Sequence, residues 1–297
     1  MTSFSFVLPA LSLLALTSQS GFCAENKLHP EVIEKLTGVS GKMDAKEPVF
    51  KISYPRKDLK VKTAGVTMTP GMGLTAWTAF TPMKGEVMAM GDIVMTEDQV
   101  NPVMSVALEN GLEVTALHNH FFYDSPKVMF MHIGGMGPEE KIAAAVGKVF
   151  ATLKSTAQTK PQFEQADLDP SKTTLNPQPV TDVLGHPGEL KDGILKVTIG
   201  AKTKMMGAEM GNAMGVNTWA AFVGSDEKSL VDGDFAMKEN ELQGVLKALR
   251  TAKINVVAIH NHMTNENPRI IFLHFWGVGS TVELARGLKA ALTTQGK

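Results

Sequence analysis

The chain has 297 residues, 43% of them apolar and 20% charged, with a formal net charge of −1. That length and balance suit a folded, well-cored protein of one large or two medium domains. The near-neutral charge gives no electrostatic footprint for nucleic acid or an anionic membrane surface, so neither is expected as a partner.

The opening segment, MTSFSFVLPALSLLALTSQSGFCAENK, holds an apolar run from Phe4 to Leu16, then small polar residues, then a first charge at Glu25. It reads as a secretory signal peptide over residues 1–24, too short for a comfortable membrane span. Pro9 argues against a buried helix there. The expectation is therefore a periplasmic or secreted protein with no transmembrane span in the mature chain. Cys23 is the one cysteine. Lipid anchoring through it is the less favoured reading, because Phe22 stands where a lipoprotein signal wants a small residue. If Cys23 leaves with the signal, the mature chain has neither a disulfide nor thiol chemistry.

Next along the chain, VFKISYP and LKVKTAG read as short strands. LTAWTAFTPM and EVMAMGDIVMT read as a strand pair joined through Lys84-Gly85. Thr96 opens a helix with Gln99 completing a capping box, Val100, Val103, Met104, Ala107 and Leu108 form its apolar stripe, and Gly111 ends it. LEVTALHNH and KVMFMHIGG follow as strands, and a last helix starts near Pro138, carrying Ile142, Val146, Val149 and Phe150. The whole pattern then recurs. Trp77 matches Trp219, Gly91-Asp92 matches Gly233-Asp234, Pro126 matches Pro268 and Gly135 matches Gly277, always 142 positions apart. A period this long marks a duplicated domain. The expected organisation is a first repeat over 30–153, a polar, proline-spaced linker over 155–180 and a second repeat over 181–295. The fold class is α+β: two tandem homologous domains, each an antiparallel sheet with helices packed on one face.

Six of the eight histidines fall into two matching trios, His118, His120 and His132 in ALHNHFFYDSPKVMFMH, and His260, His262 and His274 in AIHNHMTNENPRIIFLH. Alternation along a strand puts the first two of each trio on one face, and a reversal near the proline brings the third alongside. Clustered imidazolium rings would repel one another, whereas a divalent cation uses their lone pairs. Asp124 and Glu266, each four residues after the second histidine of its trio, are the candidate fourth ligands. Three histidines and a carboxylate suit zinc first, and also manganese, iron or copper. Asp92 and Asp234 are further candidates as ligands or imidazole partners, but following glycine they read more readily as turn residues. Met206, Met210 and Met214 in MGAEMGNAMG suggest a soft, copper-binding run, while most other methionines alternate as core residues do.

The run MGDIVMTEDQVNPVMSVALENGLEVTALHNHFFYDSPKVMFMHIGG resembles the LppY/LpqO family of exported bacterial proteins and lipoproteins of unknown function, and both copies share the resemblance. It implies a relative rather than a reaction. No serine nucleophile elbow, phosphate-binding Gly-rich loop, dinucleotide fingerprint or His-Glu-x-x-His motif is present. Two uses of the metal stay open at this level. One is a metal-dependent hydrolase or oxidase, with Asp124 or Glu266 as ligand or base. The other is a non-catalytic carrier, sensor or binder of a metal or a small ligand.

Overall fold

The computed structural model describes residue 1, residues 27–157 and residues 165–296. Residues 2–24 of the expected signal peptide, with Cys23, and part of the expected linker lie outside the described residues.

The first repeat runs α1 (Pro30–Thr37), β1 (Gly41–Met43), β2 (Phe50–Pro55), β3 (Lys62–Thr63), β4 (Val66–Thr67), β5 (Thr75–Met83), β6 (Glu86–Thr96), α2 (Glu97–Glu109), β7 (Glu113–His118), β8 (Val128–Gly137), α3 (Glu139–Thr156). The second runs α4 (Pro177–Leu184), β9 (Gly188–Lys191), β10 (Ile194–Gly200), β11 (Thr203–Met205), β12 (Ala208–Met210), β13 (Asn217–Gly224), β14 (Ser229–Lys238), α5 (Leu242–Thr251), β15 (Asn255–His260), β16 (Glu266–Asn267), β17 (Ile270–Gly279), α6 (Thr281–Leu292). The capping box at Thr96 and Gln99 forms as expected, and Ser280 accepts from the Glu283 amide at the matching helix start. Neither α1 nor α4 was legible in the sequence, and α4 begins inside the stretch read as linker.

Tandem repeats suggest two separate sheets, but the twelve principal strands form one. Their order is β1-β2-β5-β6-β8-β7-β15-β17-β14-β13-β10-β9, so the second half mirrors the first about the β7–β15 seam. The seam pairs antiparallel, Leu117 opposite Ile259. Side chains from the helices complete it. Asn101 on α2 accepts from the Val256 amide and donates to the Val256 carbonyl, and Gln243 on α5 does the same for Val114. These two residues are themselves 142 positions apart, so the clasp is reciprocal about a pseudo-twofold axis.

Alternation sorts each strand between two environments. On β6, Val87, Ala89, Ile93 and Met95 are buried; on β14, Val231, Phe235 and Met237 are. These side chains meet a helical layer in which α1 packs on α3, α3 on α2, α2 on α5, α5 on α6 and α6 on α4. Residues of the other parity form a second face without helices, which small hairpins cover in part. In the first repeat Lys62 and Ser125 exchange backbone hydrogen bonds of 2.9 Å, tying the β3–β4 hairpin to the loop after His120. In the second, β11 pairs with β16 in the equivalent loop, and Met210, Val216, Ala236, Ile270 and Phe272 form a small second core beneath it. Among the described residues no helix is long and apolar enough to cross a membrane.

Candidate metal centre

All six clustered histidines sit on or beside the helix-free face. His132 on β8 pairs with Asp92 on β6 and with Ala116 on β7. His274 on β17 pairs with Asp234 on β14 and with Ala258 on β15. Two residues along the register, His118 lies opposite Phe130 and His260 opposite Phe272. The remaining members of the trios leave the strands and fold back over these phenylalanines. The His120 ring stacks on Phe130 with centroids 3.4 Å apart, and His262 stacks on Phe272 at 3.5 Å. Aromatic floors thus orient rings that strand alternation alone would not hold.

The second repeat brings its groups closest. Nε2 of His260 and Nε2 of His262 are 3.1 Å apart, and Nε2 of His262 is 3.2 Å from Asp234 Oδ2. Ligand atoms of Asp234, His260 and His274 all lie within 4.8 Å of one another; among the described residues this is the one such set of three or more ligand-type groups. Four tetrahedral ligands at about 2.0–2.1 Å from a zinc ion stand about 3.3 Å apart, so the closest of these spacings already match. The first repeat repeats the pattern more loosely, with Nε2 of His118 and His132 3.1 Å apart and the His118 and His120 rings stacked at 5.1 Å.

The electrostatics favour a cation. Asp234 is 3% exposed, and burial pushes its carboxyl above the usual carboxylate range despite His274 and His262 beside it. Burial, then the neighbouring His274 and His262, bring the His260 imidazole down to about 4, so the ring is neutral at pH 7 and one of its nitrogens offers a lone pair. Burial likewise lowers His120, against the pull of Asp92. Among the described residues the carboxylate oxygens Asp92 Oδ1, Asp124 Oδ1 and Asp234 Oδ1 are buried without a hydrogen-bond partner, as is His260 Nδ1. Desolvated acceptors left unmatched are costly unless something positive fills the gap.

Asp124 and Glu266 each give one carboxylate oxygen to the backbone. Asp124 Oδ2 accepts from the Val128 amide at 2.8 Å, and Glu266 Oε1 accepts from the Ile270 amide at 3.1 Å. Each closes the loop that returns the chain to β8 or β17. That loop also has a left-handed residue just before the acid, Tyr123 or Asn265. The carboxylates facing the imidazoles are Asp92 and Asp234, which lie mid-strand rather than at turns. The glycine before each has a packing reason: a Cβ on Gly233 would sit 2.3 Å from the Trp219 carbonyl oxygen and 2.4 Å from the Phe275 ring. The duplicated Gly-Asp pair is therefore the sequence signal for these acids, and it marks a strand position where the sequence alone suggests a turn. The methionine run also separates, since Met210 is buried in the small core while Met206 and Met214 are exposed.

A continuous antiparallel sheet, one helical layer and a carboxylate–histidine cluster open to solvent define a duplicated α+β protein with a candidate metal centre. The chain belongs to the family described as Domain of Unknown Function (DUF1259), whose model matches residues 31–152 and again 178–294. No curated protein and no solved structure matches it.

Proposed function

We propose that this protein binds one divalent transition-metal ion in each repeat, zinc foremost. Asp234, His260, His262 and His274 hold one ion, and Asp92, His118, His120 and His132 hold the other. The observation that carries this reading is the buried Asp234 carboxylate converging with His260 and His274 within 4.8 Å. Four protein donors complete a tetrahedral zinc shell, which favours holding a metal over activating water on it. Side chains of His262 and His274 are 35% and 47% exposed, so the ion is reachable from solvent. A hydrolase or oxidase reading requires one of these rings to yield its position to water or substrate. Export by the N-terminal segment and kinship with the LppY/LpqO proteins belong to the same proposal, supported by the sequence features that suggested them.

Elemental analysis of protein purified without chelator tests the reading. Two equivalents of transition metal are expected, and the apoprotein should take up two of zinc. An apoprotein that refuses zinc, manganese and copper in titration overturns it.

A further inference from the structure

The helix-free face of the first repeat carries a feature that the second lacks. Met88 on β6 lies directly opposite Met136 on β8, and Met90 lies opposite Gly134. The three methionines are 44%, 59% and 59% exposed in the order Met88, Met90, Met136. Their exposure follows from parity, because they alternate with the buried Val87, Ala89 and Gly137. Gly134 leaves a notch: a Cβ there would meet nothing nearer than the Ala89 carbonyl oxygen at 3.8 Å. Around the notch stand Met90 across the strand pair, Met136 and His132 two residues to either side, and Glu113 opposite on β7.

Directly opposed residues on an antiparallel pair have Cβ atoms about 4.5–5.5 Å apart, and diagonal neighbours remain within reach of long side chains. Methionine is unbranched and polarizable, so its sulfurs can converge over a glycine with little strain. Thioethers are soft ligands that select monovalent copper over zinc or manganese. In the second repeat the equivalent positions are Leu230, Asp232, Val278 and, in place of the notch, Trp276. No soft donors remain there, and a tryptophan replaces the glycine.

We propose that Met88, Met90 and Met136 form a binding site for a soft monovalent ion, Cu(I) or its analogue Ag(I), over Gly134 in the first repeat alone. His132 lies at the edge of this site and of the histidine cluster, so the soft site adjoins the zinc site without depending on it. The donors are three thioethers that the zinc proposal does not use.

The test is an Ag(I) titration of the zinc-loaded full-length protein labelled with 13C at the methionine methyl groups. The M88L, M90L and M136L variants assign the three signals. The expected result is that these three shift together and saturate at one equivalent. In the triple leucine variant that equivalent should vanish while zinc content stays at the wild-type value. Signals that fail to move, or that move only in excess silver together with Met206 and Met214, overturn the proposal. So does broadening of the three with protein concentration in the absence of silver, which would identify the patch as a self-association surface. A zinc content of zero with the silver response intact would sink the histidine-site reading and leave this one standing.

Discussion

Asp234→Asn separates a metal ligand from a structural acid, because the two roles predict opposite signs. The substitution keeps shape and removes a buried carboxylate that faces His262 at 3.2 Å and lies in a strand core. Without metal that carboxylate is a desolvated charge with its pKa raised by burial. A group of this kind disfavours the folded state above its folded pKa, so the neutral amide should leave apoprotein stability at pH 7 equal or higher. With metal the sign reverses. Free zinc at a hundred times the dissociation constant stabilises by about 2.7 kcal/mol per site, or about 5.4 kcal/mol for two independent sites. Asp234→Asn should therefore lose about half of the zinc-dependent gain, roughly 4–5 °C of melting temperature for a chain of this size. Differential scanning calorimetry of apo and zinc-loaded forms measures both quantities, and zinc stoichiometry should fall from two to one. A variant with an unchanged zinc-dependent shift, or one whose apoprotein loses several kcal/mol, would refute the ligand assignment.

Glu266→Gln and Asp124→Asn should retain both metals, since these side chains accept from Ile270 and Val128 amides; metal loss in elemental analysis would return them to the coordination shell. The two ions should lie about 15 Å apart, because three strand spacings of about 4.8 Å separate β8 from β17. Dipolar electron paramagnetic resonance on the Cu(II)-substituted protein reads that distance, and a single uncoupled centre would indicate one composite site. Asn101→Ala and Gln243→Ala should each cost about 1–3 kcal/mol in urea denaturation by leaving the Val256 or Val114 backbone unpaired. A neutral result for both would mean the β7–β15 seam does not depend on the clasp.

Much of this architecture could be read from the chain because its signals are local. Period-two alternation marked β5 through β8, the Thr96–Gln99 box marked α2, and the 142-residue offset marked the duplication. The histidine trios were legible for the same reason, since a strand, a reversal and a strand fix which faces meet. The facing acid was not. Asp92 precedes His118 by a whole helix and strand, and only the β6–β8 register puts it beside His132. Acids are rare within buried strands, so a Gly-Asp pair points to a turn unless the neighbouring strand is known. The merger of two sheets was equally hidden, because nothing in the sequence of β7 states that its free edge will meet β15.

The reciprocal grip of Asn101 and Gln243 has an evolutionary corollary. A repeat on its own would present β7 as a bare edge beside a helix carrying the very amide that satisfies such an edge, which is the arrangement of an isologous dimer. Joining two copies in one polypeptide makes that association independent of concentration. It also frees each half to drift, which is how one half can carry Met90 over an open Gly134 while its twin carries Asp232 beside Trp276.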